Sequence, residues 1–376
     1  MADLNLLREE IDKIDNEIVS LYQRRMKVCA EVANYKIDTG KKVFDKQREK
    51  EKISAVSEKV EGEFHKKGIR ELYKQLMSMS RKLQYQMLTE KGVLGRLPFI
   101  GIDKLDIETS RIVYPGTKGA YTQAAMEKFF GKETNSFSVT TFRDVMEAIE
   151  EGSADFAVLP IENSSAGAVN QVYDLLVEFE NYIVGETVLP ITHTLSVLPG
   201  TKKEDIKRVY SHPQGLMQCE KYLDEHRNWE QLSISNTALA ARKILDDKDK
   251  AQAAICSEYA AKIHKLEILE KDINFSSSNS TRFIVITNQK VFLKDASKIS
   301  ICFEVPHESG SLYEILSHFI YNDLNMTKIE SRPIEERPWE YRFFVDFEGN
   351  LADGAVKNAI RGLREEAKSL KILGNY

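Results

Sequence analysis

Arg25 stands in a line of hydrophobes. At alternating steps of four and three residues, the first helix-like segment reads Leu7, Ile11, Ile14, Ile18, Leu21, Arg25, Val28, Val32 and Tyr35. Such a stripe marks a long amphipathic helix packed against other helices. A guanidinium within it has to leave water, and a buried charge without a partner costs on the order of several kcal/mol. Two partners suit it: a carboxylate from a neighbouring helix, or an anionic ligand held inside a helical bundle. Lys36 follows eleven residues later. That is about three turns, so it shares Arg25's face ~16 Å away, whereas Arg8 points roughly 90–100° from both. One helix does not easily aim all three at a single ligand; two copies of the chain can.

A second stripe, Ile69, Tyr73, Leu76, Ser80, Leu83 and Met87, is interrupted by Ser80, with Gln84 one turn further on. A serine there can bond the carbonyl four residues back, and the amide beside it calls for a polar partner. Later in the chain, Gly116-x-x-Gly119, Ile161-Glu162-Asn163-Ser164-Ser165-x-Gly167 and Ser211-His212-Pro213-Gln214 each follow a strand and open a helix, with Gln218 one turn past the last. Junctions of this kind present free amides and polar side chains. Any one of them is ordinary capping; three in one unit point to a site. A fourth piece, Asn279-Ser280-Thr281-Arg282-Phe283, enters a strand.

The elements that must carry these groups fall into three zones. A chain of 376 residues holds two or three domains. Residues 1–92 read as helix throughout: a long first helix ended by Gly40, a second near 46–64 capped by Asp45, and a third near 69–91 after Gly68. Gly92, Gly95, Pro98 and Gly101 punctuate a connector over 93–110. From 111 to 290 short β-rich runs alternate with helical ones at 121–130, 142–151, 166–178, 213–225, 237–246 and 257–264. This is α/β texture with a mainly parallel sheet. The run 183–199 is long and extended, suited to crossing between two lobes, and two such lobes enclose a cleft. Residues 298–376 read strand, helix, strand, strand, helix, strand, the ferredoxin-like βαββαβ arrangement.

Composition narrows the function classes. Hydrophobic content of 42% and charged content of 30% describe a soluble globular protein. No window approaches the ~20 apolar residues of a membrane span, and the charged start MADLNLLREE is unlike a signal peptide. Cys29, Cys219, Cys256 and Cys302 are scattered and read as thiols in a reducing cytoplasm. The seven histidines lack metal spacing. Residues 1–92 hold 20 Lys/Arg against 16 Asp/Glu, but these alternate in sign without interleaved aromatics, which argues against nucleic acid.

Arg8, Arg25, Lys36, Asp45-x-x-Arg48-Glu49 and Ser80-x-x-x-Gln84 resemble the pattern of the all-helical chorismate mutases, over essentially all of 1–92. The resemblance implies a three-helix unit in an intertwined dimer, one partner lending its N-terminal arginine to the other's site. Arg8 and Arg25 would then clamp the carboxylates of chorismate, Lys36 and Gln84 would meet the ether oxygen, Arg48 and Glu49 would hold the ring side and its hydroxyl, and Asp45 and Ser80 would support them. The rearrangement is pericyclic. It needs a compact conformer and stabilised charge on the breaking bond, not an acid, a base or a covalent intermediate.

The four later segments together resemble the prephenate dehydratases across about 111–290, with a two-lobed α/β fold similar to type 2 periplasmic-binding proteins. The opening Gly119-Ala120-Tyr121-Thr122 departs from the commoner Gly-Thr-Phe-Ser. The resemblance puts Thr281 near the departing ring hydroxyl of prephenate. Threonine is a feeble acid, so it positions and hydrogen-bonds that group or relays a proton. Arg282 binds a carboxylate or forms a structural ion pair, Phe283 packs under the ring or the core, and Glu162, Asn163, Ser211 and Gln218 are secondary candidates.

Residues 298–376 resemble ACT domains of the phenylalanine-sensing kind through Gly310-Ser311-Leu312-Tyr313 and Glu330-Ser331-Arg332-Pro333. Ser309 stands where proline is frequent. The resemblance implies phenylalanine bound between paired copies by Gly310, Ser311, Leu312, Glu330, Ser331, Arg332 and Pro333, inhibiting by its preference for one state of the assembly. The whole chain is similar to the bifunctional chorismate mutase–prephenate dehydratases. That implies a cytoplasmic homodimer or higher homo-oligomer of phenylalanine synthesis, with no cofactor, metal, nucleic-acid or membrane partner. The competing class is a non-enzymatic amino-acid sensor with an inert helical dimerisation segment. Arg25, Gln84 and Thr281 argue against it, because a mere dimeriser does not need buried cations.

Overall fold

The computed structural model describes residues 3–92, 97–276, 278–335 and 337–376. The chain divides into two compact units: Met1–Pro98 with Cys302–Leu370, and Phe99–Ile301 with Lys371–Tyr376. The helical zone and the body of the C-terminal zone thus form one unit, while 298–301 and 371–376 group with the central zone.

In the first unit the helix Leu4–Thr39 is capped by Asp3 and stopped by Gly40 in the left-handed conformation. Asp45 caps the second helix, Lys46–Ser57, by accepting from Arg48 N at 3.1 Å. That helix is shorter than its pattern suggests, and the third, Glu63–Glu90, starts earlier and runs through Gly68. The turn falls at Gly62, whose φ of 82° serves as the break expected at Gly68. The first and third helices lie side by side in the same direction, joined through Tyr22–Met79, Arg25–Ser80 and Asn34–Lys91. The apolar stripe of the first helix, however, is not packed within one chain. Leu7, Ile11, Ile14, Ile18 and Leu21 are 49–64% exposed, and Arg25 is half-buried rather than sunk in a core.

The third helix packs on two helices of the C-terminal zone, Ser311–Tyr321 and Gly354–Glu366. The strands beneath run in the order Ser369–Asn375, Lys298–Glu304, Arg337–Glu348, Met326–Ile334. That is fourth, first, third, second, the ferredoxin-like order, with Met326–Ile334 at the edge. Gly362 lets the two helices approach closely: a Cβ there would lie 2.2 Å from the ring of His318.

The second unit has two lobes. In one, strands are ordered Tyr182–Pro190, Ser280–Thr287, Phe156–Asn163, Ile112–Pro115, Ser136–Val139; in the other, Glu267–Glu270, Thr194–Val197, Gln252–Cys256, Arg208–Ser211, Glu230–Ser233. The expectation of a mainly parallel sheet is corrected: half the neighbouring pairs in each lobe are antiparallel. These are the pairs made by the strands that pass between the lobes. The run 183–199 divides into one strand per lobe, so the crossing itself is Ile191-Thr192-His193. The helix expected at 213–225 breaks at buried Cys219, and that at 166–178 begins only at Asn170, because Gly167–Ala168 pairs with 162–163. The connector carries a strand, Ile100–Ile102, paired with Val291–Leu293; Gly95 lies outside the described residues. Each lobe has its own core, one around Ile112, Met126 and Phe283, the other around Leu195, Val209 and Trp229. Among the described residues no helix is long and apolar enough to cross a membrane.

Candidate active sites

In the first unit Arg25, Lys36, Asp45, Arg48, Glu49, Ser80 and Gln84 line one cavity of about 490 Å³. Each helix contributes: the first through its last four turns, the second through its capped N-terminus, the third through one face of its C-terminal half. The lining also includes Lys52, Arg81 and Glu51, giving five cationic and three carboxylate side chains and a net positive cavity. Arg8 is exposed on the far end of the first helix and does not line it.

Of the two partners suggested by its place in the stripe, the neighbouring carboxylate is not what Arg25 meets among the described residues. Its Nη1 donates to the Leu76 carbonyl at 2.9 Å and lies against the Ser80 hydroxyl. Ser80 in turn donates to Leu76 O at 2.7 Å, the bond four residues back that its position suggested. These partners are neutral, and among the described residues Arg25 has no carboxylate in an ion pair. The guanidinium is oriented but its charge is uncompensated, as an anion site requires. Lys36 Nζ donates to Val43 O at 2.7 Å. Burial lowers its pKa, and Asp45 followed by Glu365 only partly restores it. Gln84 is buried, donates to Ser80 O at 3.1 Å and has an unbonded Oε1. Arg81, absent from the sequence reading, is buried between Glu49 and Glu366. It lies next to the striped position, and its second partner is 285 residues away.

In the second unit a cavity of about 450 Å³ lies between the lobes. It contains Asn163, Gln218, Thr281 and Phe283 from the candidate set. Along Ser280–Thr287 side chains alternate, so Thr281 and Phe283 face the cavity and Arg282 faces away. Arg282 meets Glu162 at 3.3 Å and Glu186 at 3.2 Å, the structural ion pair that was one of its two readings. A bulge opposite Arg282/Phe283 leaves Ile161 without a partner in the register. Because of that extra residue, Pro160 and Asn163 share the cavity face while Glu162 turns away with Arg282. Ser211 does not line the cavity: it is fully buried and donates to Ile255 O at 2.8 Å. Phe283 belongs to the lobe's core as well as to the cavity wall.

Asn163 donates to Thr281 Oγ1 at 2.9 Å. Thr281 is thus an acceptor toward the protein, and its own proton is left to offer to a ligand. Across the cavity His193 Nε2 lies 2.8 Å from Gln218 Oε1, and Nδ1 lies 3.3 Å from the Tyr121 hydroxyl. Burial lowers the His193 pKa, more than its bond to Gln218 raises it, which favours the neutral ring. Sequence reading did not single out His193, whose one signal was being the sole histidine of the crossing run 183–199, and it quoted Tyr121 within the opening motif without giving it a role. Among the described residues the cavity lining includes no lysine or arginine. Instead it is ringed by the N-terminal residues of five helices, at Ala120–Thr122, Phe142, Val169, His212–Gly215 and Asn236–Thr237. Helix N-termini attract anions through free amides and the helix dipole.

In the C-terminal zone Gly310, Ser311 and Leu312 line a third cavity of about 450 Å³ with Trp339, Tyr341 and Phe343. Glu330, Ser331, Arg332 and Pro333 do not line it; they lie on the edge strand Met326–Ile334.

Residues 7–85 match the family model for chorismate mutase type II, and residues 112–291 that for prephenate dehydratase. The bifunctional chorismate mutase/prephenate dehydratase of Aquifex aeolicus is 33% identical over 100% of this chain and 98% of its own. That of Escherichia coli K12 is 31% identical over 98% and 95%. A solved structure of prephenate dehydratase in complex with L-Phe, from Arthrobacter aurescens, is 32% identical and superposes with a TM-score of 0.66 over 71% of this chain and 89% of that one.

Proposed function

As a member of the bifunctional chorismate mutase/prephenate dehydratase family, the chain converts chorismate to prephenate and prephenate to phenylpyruvate, and we propose that its two charged-ligand cavities perform one step each. The observation that carries this is the meeting of six other candidate positions in the helical cavity around an Arg25 whose partners are all neutral.

In the mutase cavity Arg25 takes a substrate carboxylate. Lys36 and Gln84 reach the ether oxygen and stabilise charge as the bond breaks. Arg48 and Glu49 hold the ring side and its hydroxyl, Asp45 caps the helix that presents them, and Ser80 orients Arg25. A second copy of the chain covers the exposed stripe of the first helix and brings its own Arg8 to complete the clamp, so the active form is at least a dimer. Supporting this, the stripe's large apolar residues are about half exposed in a single chain, more than a soluble helix leaves uncovered.

In the two-lobed cavity, similar to a type 2 periplasmic-binding fold, helix N-termini hold the carboxylates of prephenate. Thr281, fixed by Asn163, donates to the departing hydroxyl. Loss of CO2 supplies the electron pair that expels the hydroxyl as the ring becomes aromatic, and one proton taken up from solvent through Thr281 makes it water. His193, Tyr121 and Gln218 form the neutral opposite wall. The remaining positions, Arg282, Glu162 and Ser211, act from behind the wall as supports.

Residues 298–376 serve as an ACT regulatory domain, after 1–92, the linker 93–110 and the dehydratase domain 111–290. Phenylalanine enters the cavity at Gly310–Leu312. Glu330–Pro333 reach it from the edge strand of a second copy, and binding feeds back on the enzyme. The setting is the cytoplasm, in keeping with four reduced cysteines. The experiment is a paired assay of chorismate loss and phenylpyruvate formation. Arg25→Leu should abolish the first and spare dehydration of added prephenate; Thr281→Ala should do the reverse. Full dehydratase activity in Thr281→Ala, or full mutase activity in Arg25→Leu, overturns the corresponding assignment.

A further inference from the structure

Two adjacent glutamates, Glu365 and Glu366, end the helix Gly354–Glu366. Carboxylates in a last turn oppose the helix dipole. Glu366 finds its partner on the wall of the mutase cavity, at Arg81, while Glu365, 3.6 Å from Arg361 of its own helix, also reaches Phe44 and Tyr85, each adjacent in sequence to lining residues. Glu366 accepts from Arg81 Nε at 2.8 Å and Nη2 at 3.4 Å, a two-point grip on one edge of the guanidinium. The other edge, Nη1, donates to Glu49 at 2.5 Å, and the Phe44 ring lies 4.9 Å from the guanidinium carbon. Glu365 accepts from the Phe44 amide at 3.3 Å and from the Tyr85 hydroxyl at 3.2 Å. It therefore fixes the short segment that offers Val43 O to Lys36 and leads to Asp45. On the far side, His318 Nε2 is 3.2 Å from Glu366. Arg81 is 4% exposed, so its charge has no recourse to water.

We propose that Arg81 is a positioning residue of the mutase site, holding Glu49 at the substrate only while Glu366 of the C-terminal zone grips it from behind. The mutase cavity is thus completed by the ferredoxin-like fold rather than by the helical zone alone. The physical reason is charge balance. One guanidinium shared between two carboxylates divides its bonds by geometry; with Glu366 removed, a buried cation is left to Glu49 alone, and Glu49 is drawn off the ligand. The same connection gives a ligand in the C-terminal zone a physical handle on the mutase, because His318 rides on the helix Ser311–Tyr321 whose first residues line the third cavity.

The inference rests on the assignment of the mutase cavity, and the test separates the two. In the full-length chain, Glu366→Gln should lower mutase kcat/KM about ten- to a hundredfold, chiefly in kcat, the scale on which displaced positioning groups act. Glu366→Asp should recover part of that loss. Dehydration of added prephenate by the same preparation should stay within about twofold, as for an independent site. The double variant Glu49→Gln/Glu366→Gln should be no worse than Glu49→Gln alone. If Glu49→Gln and Arg25→Leu are inactive while Glu366→Gln is unimpaired, the role of Arg81 is wrong and the cavity stands. Losses that multiply in the double variant, or a fall in both activities with a lowered Tm, also overturn it in favour of a packing role. If Glu49→Gln and Arg25→Leu both retain mutase activity, the cavity assignment itself fails.

Discussion

The distance from Arg8 to Arg25 yields a decisive experiment. Seventeen residues separate them on one unbroken helix, or ~25 Å of rise. No rotamer closes that gap, so an Arg8 that serves a site must serve another copy's. Arg8→Ala and Arg25→Ala homodimers should each lose about 10²–10³ in mutase kcat/KM, the scale for removing one donor to a reacting anion. Dimers formed from equal amounts of both variants behave differently. Half are mixed, and each mixed dimer has one site lacking both arginines and one lacking neither, so about a quarter of all sites are intact. The mixture should therefore recover about a quarter of wild-type mutase activity by chorismate consumption, far above either parent. Co-expression with two tags allows the mixed species to be isolated, where the recovered share should approach about half. A mixture no more active than the mean of its parents refutes the shared site, and full activity in Arg8→Ala refutes any role for Arg8.

Four further outcomes are expected. Burial holds the Lys36 pKa below that of an ordinary lysine, and the ether oxygen needs the protonated form. Mutase kcat should therefore fall as pH rises through that depressed value, and Lys36→Arg should move the alkaline limb upward; identical pH–rate profiles would sink the idea. Gly362→Ala places a methyl about 2.2 Å from His318; overpacking of that kind costs about 1–3 kcal/mol, readable as a lower denaturation midpoint. Phenylalanine should alter Trp339 fluorescence, because Trp339 lines the third cavity, and Trp339→Phe should abolish that signal in titrations. Gln214→Lys should lower KM for prephenate and lower dehydratase kcat by more.

How much of this was legible in the sequence depends on the range of the forces involved. The helix Tyr121–Phe130 and the strand Phe156–Asn163 fall where periodicity puts them, since burial on one face and the flanking turns agree. Arg25 and Lys36 share a cavity as their spacing implies, because helical geometry transmits spacing into direction, whereas only the family resemblance places Asp45, Arg48, Glu49, Ser80 and Gln84 beside them. Three things lay beyond such rules. Gly68 looked like a break, but a glycine with a helical backbone is tolerated, and the turn went to Gly62. Arg282 and Glu162 sit inside recognisable segments, yet a motif does not state which face of a strand its residues take. Here a bulge at Ile161 decided it. The apolar stripe promised a buried Arg25, whereas its cover is not supplied by the same chain. Arg81 was invisible for a related reason: its significance depends on Glu366, which only tertiary packing brings near.

The helical cavity carries full cations and the two-lobed cavity only helix N-termini, and the chemistry proposed for each explains the contrast. In the rearrangement both carboxylates survive and negative charge grows on an ether oxygen, so fixed cations such as Arg25 and Lys36 favour the transition state over the ground state. In the dehydration one carboxylate becomes neutral CO2 as its electron pair moves into the ring. A lysine or arginine paired with that carboxylate would stabilise the reactant most and the transition state less, deepening the well from which the reaction must climb. Amides at helix N-termini orient the group with partial charges only, and among the described residues the cavity lining carries no lysine or arginine. The expected behaviour of Gln214→Lys follows from this. A cation about 3–4 Å from a carboxylate in a partly enclosed site is worth on the order of 4 kcal/mol at an effective dielectric near 20. Most of it is lost again as the charge departs. Tighter binding should therefore come with slower turnover. A variant that binds prephenate more tightly at undiminished kcat would show that cations are tolerated there, and that their absence needs another cause.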